Sequence, residues 1–312
     1  MKLIIQIPCY NESQTLKITM GDLPRVVQGF DEVEWLIIDD GSSDNTSQIA
    51  KECGADHILR LSKNQGLAKA FMAGLNKAID LGADVIINTD ADNQYDAKFI
   101  PELARPILEH KADYVIGARP IHTNQSFSTN KKILQLLGSW MVRKISGTDI
   151  PDAPSGFRAM SRACAMQLNV FNNFTYTIET IIQASYKGMT LAWIPVNVNK
   201  TIRPSRLIKN IPLYIGKSIG TIIRIFVVYK SFEFFMSIGA VVFFAGFLLG
   251  VRFLYLYLTG AGSGHVQSLI LSNVLMGMGF QTGLIAFLAD LLAVNRRLLE
   301  DIKYSLRRGK NA

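Results

Sequence analysis

Cysteine and histidine are scarce in this 312-residue chain, with three of the first and four of the second. Cys9, Cys53 and Cys164 stand far apart, without a C-x-x-C pair or any metal-ligand spacing. They read as small apolar residues of a reducing compartment. His110 lies among charged residues, which suits a solvated helix end better than a ligand. Charged residues are only 19%, and the mean hydropathy of +0.20 is apolar for a soluble protein. No G-x-x-x-x-G-K-[ST] loop and no G-x-G-x-x-G turn occurs, which disfavours a P-loop NTPase or a dinucleotide dehydrogenase. No RNA- or DNA-binding motif occurs, so nucleic acid is not an expected partner. An N-terminal signal peptide is not expected either, because Leu3–Ile7 is too short for its apolar core and Pro8 ends the run.

What is present alternates. Leu3–Ile7, Glu34–Ile38, His57–Leu61, Ala83–Ile87 and Asp113–Pro120 are apolar runs of strand length. Helical patterns separate them: from Ser13, a plausible N-cap, to about Gln28; from Leu67 to Ala78; and from about Ala97 to His110. Such alternation predicts an α/β fold with a doubly wound, mainly parallel sheet. Lys131–Ile145 is predicted as an amphipathic helix, Tyr176–Glu179 as the start of another, and Thr190–Lys200 as an edge strand. Asp149–Arg158 is too rich in Pro and Gly to be helical.

Three strand ends carry polar groups. The fourth runs into Asn88-Thr89-Asp90-Ala91-Asp92-Asn93-Gln94, two carboxylates one residue apart with an amide two further on. In an open α/β sheet, ligands bind at that edge. Oxygen donors of this kind suit Mg²⁺ or Mn²⁺, which keep waters and add substrate phosphates. An isolated D-x-D is more often a solvated turn; here Asp39-Asp40-Gly41-Ser42-Ser43-Asp44 closes the second strand at the same edge. Gly41 permits a tight turn, with Asp44 or Ser43 to cap the next helix. Arg119, Lys131 and Arg158 are candidates for a second anionic ligand, since Arg forks match phosphate. Structural salt bridges are the alternative for each.

The C-terminal third is directed at a membrane. Lys209–Lys230 places Ile211, Ile215, Ile219, Ile222, Ile223 and Phe226 on one face and Lys209, Lys217 and Arg224 on another, the pattern of an interfacial helix. Phe234–Val251 and Val266–Ala289 are long and apolar enough to span a bilayer. The connection Thr259–His265 has no Lys or Arg, whereas basic residues precede the first span and follow the second. That asymmetry predicts both termini and the catalytic part in the cytoplasm. The net charge of +8 points to anionic membrane lipids. Gly246/Gly250 and Gly279/Gly283 permit close helix packing and leave a homo-oligomer open.

Pro8-x-Tyr10-Asn11-Glu12, Asp39-Asp40-Gly41-Ser42-x-Asp44-Asn45-Thr46, Asn64-x-Gly66, Asp90-x-Asp92-x-Gln94, Gly117-Ala118-Arg119 and Ser155-Gly156-Phe157-Arg158 recur in one order. Together they resemble the family 2 glycosyltransferases of GT-A fold, in particular the dolichol-phosphate mannose synthase type and its polyprenyl-phosphate relatives. The resemblance covers residues 3–207. With the patterns above, it divides the chain into a glycosyltransferase domain over 1–207, an interfacial helix over 208–231, a two-helix membrane domain over 232–295, matching the membrane-anchored members, and a basic tail over 296–312. It further implies transfer of a sugar, with inversion, from a nucleotide-sugar donor to a polyprenyl phosphate. Pro8, Tyr10, Glu12, Asp39 and Asp90 would face the donor. Asp90, Asp92 and Gln94 would hold the metal, Mg²⁺ or Mn²⁺. Asp92 and Arg119 would be catalytic, with Arg119, Lys131, Arg158 and Arg206 receiving the acceptor phosphate. The family's later R-x-x-G-x-S-K-L loop becomes Lys200-Thr201-Ile202-Arg203-Pro204-Ser205-Arg206-Leu207 here, so Arg203 and Arg206 stand in for its basic residues.

Two rival readings stay open at this level. Transfer to a hydroxyl would want a carboxylate base, for which Asp152 is the nearby candidate. An inactive transferase fold could serve as a membrane scaffold, although a scaffold has no need of Asp39, Asp90, Asp92 and Arg119.

Overall fold

The computed structural model describes residues 1–120, 129–170, 176–199, 220, 223–224, 227–260 and 265–310. It divides into two compact units, Met1–Ile219 with Tyr304–Ala312, and Gly220–Lys303. The loop with Arg203 and Arg206, and residues 208–231 apart from 220, 223–224 and 227–231, lie outside the described residues.

The first unit is built on a seven-stranded sheet in the order β3-β2-β1-β4-β6-β5-β7. β1 (Lys2–Cys9) pairs in parallel with β2 (Glu32–Asp39) on one side and β4 (Val85–Asn88) on the other. β3 (His57–Arg60) extends the sheet beyond β2, also in parallel. β6 (Arg158–Ser161) enters antiparallel between β4 and β5 (Tyr114–Ala118), and β7 (Leu191–Pro195) pairs in parallel with β5 as the edge. Central strands are apolar on both faces because helices cover both: β1 and β4 hold Leu3, Ile5, Val85 and Ile87 on one face and Ile4 and Ile86 on the other, all at zero exposure.

The crossovers are α1 (Leu16–Asp22), α2 (Thr46–Glu52), α3 (Leu67–Asp80) and α4 (Ile100–Leu108), the last led in by a 3₁₀ turn at Ala97–Phe99. α5 (Thr129–Ser146), α6 (Arg162–Gln167) and α7 (Thr177–Tyr186) follow. The α3 stripe of Ala70, Phe71, Gly74, Leu75 and Ala78 is buried, as its helical spacing predicts. The first helix is shorter than expected. Its N-cap is Thr15 and not Ser13, whose N–H instead donates to Asp44 Oδ2 at 3.1 Å. β6 and α6 have no counterpart in the sequence reading, because four residues behind a Pro/Gly run carry too short a pattern.

The second unit is a helical hairpin of α8 (Ser231–Leu258) and α9 (Val266–Lys310), the latter counted here up to Lys303. Both are long and apolar enough to cross a membrane. The two predicted spans fall within them, and most of their large apolar side chains, such as Phe244, Leu248 and Leu288, are exposed. They run antiparallel with glycine at the contact. A Cβ on Gly239 would lie 2.9 Å from the Gly279 carbonyl oxygen, and one on Gly279 would lie 2.5 Å from the Phe243 nitrogen. The Ser272 hydroxyl donates to the Gly246 carbonyl at 2.7 Å. Gly246 and Gly279, read as helix-packing residues, thus pack this hairpin within one chain.

Candidate active site

From β1 the chain passes to β2 and β3 on one side, then returns to lay β4 on the other. The crevice at this topological switch opens beyond the carboxyl ends of β1 and β4. Pro8 and Cys9 end β1 and are buried, Tyr10 is exposed, and Glu12 is half-buried. Asp90 and Asp92, both half-buried, follow β4.

The loops after β1 and β2 are joined by side chain to backbone. Ser42 Oγ accepts the Asn11 N–H at 2.9 Å, Thr46 Oγ1 accepts the Glu12 N–H at 2.9 Å, and Asn11 Oδ1 accepts the Ser43 N–H at 2.8 Å. Asn11 holds a left-handed backbone with φ 55°, which Asn tolerates better than most residues. Gly41 has φ +69°, and a Cβ there would meet the Lys63 backbone carbon at 2.5 Å, so only glycine fits.

The adjacent acids Asp39 and Asp40 have different duties. Asp39 is fully buried; its Oδ1 accepts the Ser42 N–H at 2.8 Å and its Oδ2 accepts the Ser47 hydroxyl, with Arg60 Nε 3.7 Å away. Asp40 turns from the crevice and accepts the N–H groups of Gln65 and Gly66, both at 2.8 Å. It thereby fixes the Asn64-Gln65-Gly66 turn.

Asp90 stands against a wall with no side chain. A Cβ on Gly156 would lie 2.8 and 2.9 Å from the two Asp90 carboxylate oxygens. The Gly156 N–H donates to Tyr95 Oη at 2.8 Å, and its carbonyl accepts Asn88 Nδ2 at 2.8 Å. Asn88 also donates to Tyr176 Oη at 2.9 Å and accepts Gln6 Nε2 at 2.9 Å. Burial pushes the Tyr95 phenol up to about 12, so it stays protonated. Desolvation first, then the charge of Asp92, pushes Asp90 up to about 7, against the pull of Arg119. Two close carboxylates in a crevice, short of compensating positive charge, with Gln94 beside them form a donor set that fits a hard divalent cation. Among the described residues no three His, Cys, Asp or Glu side chains gather to hold a metal. Waters and a substrate's phosphates would complete the coordination of a cation on Asp90, Asp92 and Gln94.

Arg119 faces the same place from the end of β5. Asp152, fully buried, accepts Arg119 Nε at 2.7 Å, Nη2 at 3.0 Å and the backbone N–H at 3.1 Å. Arg119 Nη1 reaches Gln94 Oε1 at 3.4 Å. Burial opposes the guanidinium charge, but the carboxylates of Asp152 and Asp90 outweigh it and its pKa is raised. Asp152, locked by two arms of one guanidinium and shut from solvent, is an orienting group and is not placed to act as a base.

Arg158 is placed otherwise than the sequence suggests. It is fully buried. Its Nε donates to the Ser155 carbonyl at 2.6 Å, Nη2 to the Ala153 carbonyl at 2.7 Å, and Nη1 to Tyr114 Oη, the Thr177 carbonyl and Thr180 Oγ1. That geometry commits the guanidinium to the 153–158 loop and to α7. Lys131 lies on the first turn of α5, its side chain outside the described residues.

The structure thus gathers Glu12, Asp90, Asp92, Gln94 and Arg119 at one crevice and sets Asp39 across the end of β1. Sequence reasoning missed Asn88, Tyr95, Gly156 and Tyr176 as their supports. Gly156 lies within Ser155-Gly156-Phe157-Arg158, but nothing in the sequence links it to Asp90.

The profile of a family described as Glycosyl transferase family 2 matches residues 4–168, more than half of the chain. An undecaprenyl-phosphate mannosyltransferase of Micrococcus luteus is 26% identical over 235 residues, covering 72% of this chain and 93% of that one. A UDP-N-acetylglucosamine–dolichyl-phosphate N-acetylglucosaminyltransferase of Methanococcus voltae is 28% identical over 61% of this chain and 82% of that one. Among solved structures, the glucosyl-3-phosphoglycerate synthase of Mycobacterium tuberculosis with Mn²⁺, UDP-glucose and phosphoglyceric acid superposes with a TM-score of 0.59 at 18% identity, over 72% of this chain and 79% of that one. This last likeness is one of fold.

Proposed function

The chain belongs to glycosyl transferase family 2, and from that premise we propose that it moves a sugar from a UDP- or GDP-sugar to a polyprenyl phosphate at the cytoplasmic face of a membrane, inverting the anomeric centre. The observation that carries the reading is the pairing, in one crevice, of the Asp90–Asp92–Gln94 donor set with an Arg119 oriented by Asp152. The names of the two relatives, both acting on polyprenyl-type phosphates, support the acceptor class. They differ in sugar, so the reading extends to the class of donor and no further.

Pro8, Tyr10, Glu12 and Asp39 flank the place for the nucleoside. Asp90, Asp92 and Gln94 hold Mg²⁺ or Mn²⁺, which when bound steadies the diphosphate charge that grows as the nucleotide leaves. Arg119 receives the acceptor phosphate, with Lys131 and Arg206 as further basic candidates; Arg158 serves by folding the loop that carries Gly156. A phosphate acceptor is ionised at neutral pH and needs no strong general base. This agrees with the burial of Asp152 and disfavours the hydroxyl-acceptor reading. α8 and α9 keep the enzyme where a polyprenyl tail resides.

The test is a donor panel. Full-length protein in lipid vesicles is given GDP-mannose, UDP-N-acetylglucosamine and UDP-glucose in turn, with undecaprenyl phosphate. One donor should yield a lipid-soluble monosaccharide phosphate of inverted configuration, and Asp92→Asn should abolish it. Failure of every nucleotide-sugar, or a product that survives Asp92→Asn, would contradict the proposal.

A further inference from the structure

α5 is built inside out for a helix on a watery surface. Toward the protein it turns Gln135, Ser139 and Ser146 along with Val142 and Ile145, all buried. The two serines are matched: Ser139 Oγ accepts the Ala153 N–H at 3.1 Å, and Ser146 Oγ donates to the Val142 carbonyl at 2.7 Å; Gln135 Oε1 is buried without a hydrogen-bond partner among the described residues. Outward it turns Leu137 and Trp140, 51% and 46% exposed, flanked by the partly exposed Met141 and the exposed Lys144. At 100° per residue these four fall on one arc of the helix. The 18-residue helix carries Lys131, Lys132, Arg143 and Lys144 and no acidic residue.

We propose that this face of α5 rests on the lipid bilayer, with Leu137 and Trp140 in the boundary between headgroups and acyl chains and Lys144 at the lipid phosphates. Three observations select lipid as the occupant. The chain carries two helices long and apolar enough to cross a membrane, and the proposed function sets the first unit beside a bilayer. The charge of α5 has one sign, the complement of an anionic leaflet. Tryptophan beside lysine is the pairing favoured at a membrane–water boundary. α5 is the helix that follows β5, the strand whose end carries Arg119. The inference rests on the membrane part of the proposed function and not on the transfer chemistry.

The test reads depth, not turnover. Full-length Cys53→Ser protein leaves Cys9 and Cys164, both buried. Leu137→Cys, and separately Trp140→Cys, is labelled with an environment-sensitive fluorophore. The protein is reconstituted in phosphatidylcholine–phosphatidylglycerol vesicles containing lipid with a spin label on the upper acyl chain. Glu52→Cys, exposed on α2, is the control. Labels at 137 and 140 should emit at shorter wavelength and be quenched by the spin-labelled lipid, and less so without phosphatidylglycerol. The label at 52 should show neither effect. Water-like, unquenched emission at both 137 and 140 would overturn the proposal. So would a blue shift without lipid quenching, which would mean that a second copy or another protein covers the face. No sugar transfer is needed for the readout, so a negative donor panel and a negative depth measurement are separate results.

Discussion

At the scale of the residue, Arg119 depends on Asp152. Truncating Arg119 has two consequences. Loss of charge-assisted contacts to an acceptor phosphate should cost about 1.5–3 kcal/mol, or roughly 10- to 100-fold in kcat/KM. Leaving Asp152 buried without its partner should cost about 3–5 kcal/mol of stability. Arg119→Ala should therefore lower both rate and Tm, while Arg119→Ala/Asp152→Ala regains part of the Tm and none of the rate. Calorimetry beside kinetics with a short-chain acceptor separates the two, and a double variant with restored rate would remove Arg119 from the acceptor site. Gly156→Ala makes a sharper test of position. Its methyl would press on Asp90 at 2.8–2.9 Å and shift a carboxylate whose placement sets the reaction geometry. A loss of roughly 100-fold in kcat/KM is expected, with weaker Mn²⁺ binding by titration and a smaller change in Tm. Unchanged Mn²⁺ affinity would show that Asp90 is not held by that wall.

The same residues mark how far a sequence can be read. That Asp90, Asp92, Gln94 and Arg119 meet at one sheet edge was legible because they follow the carboxyl ends of two apolar strands, β4 and β5. The separate duties of Asp39 and Asp40 were not, since only the fold brings the Gln65 and Gly66 amides to Asp40. Arg158 misled for a related reason: a guanidinium among Ser, Gly and Phe looks available until carbonyls of residues 153, 155 and 177 close on it. Gly156 and Asn88 are 68 positions apart in the chain, and no local pattern joins them.

At the scale of the element, the β1 and β2 loops act as one piece. Asp44 accepts the N–H groups of Ser13 and Thr46, each at 3.1 Å, and the Thr46 hydroxyl. Desolvation raises its pKa, but these hydrogen bonds outweigh it and hold the carboxyl below the usual value of 3.8. A carboxyl lowered in the folded state contributes fully above its unfolded pKa and loses that contribution as pH falls through the folded one. Asp44→Ala should thus lower Tm at neutral pH, and the gap to wild type should close as pH falls below about 3.8, the ordinary aspartate range. A gap independent of pH would mean that Asp44 acts by packing alone. In the hairpin, Gly279→Leu would drive a side chain into the Phe243 backbone. It should lower the yield of folded protein far more than Gly277→Leu, whose added Cβ meets nothing within 4 Å; equal yields would argue against the α8–α9 contact. The parallel strands and long helices were legible from apolar runs and helical periodicity. β6 was not, because its four residues begin with an arginine, end with a serine and have no alternation to read.

At the scale of the whole molecule, a family 2 transferase domain shares a chain with two helices fit to cross a bilayer. That pairing gives the proposed chemistry its place: a water-soluble donor reaches the crevice after β1 and β4, and an acceptor with a lipid tail comes from the membrane. If Asp90, Asp92 and Gln94 hold the cation, EDTA should silence the enzyme and Mg²⁺ or Mn²⁺ should restore it, whereas full activity in chelator would sink the metal assignment. The central claim is that a lipid phosphate, and not a hydroxyl, takes the sugar. The most direct measurement compares a polyprenyl phosphate with the polyprenol of the same chain length, at saturating donor, with the full-length protein in vesicles. Mass spectrometry of the lipid product then shows which oxygen carries the sugar. The account predicts a polyprenyl monophosphate sugar from the phosphate and no product from the alcohol. Glycosylation of the alcohol at a comparable rate would contradict it.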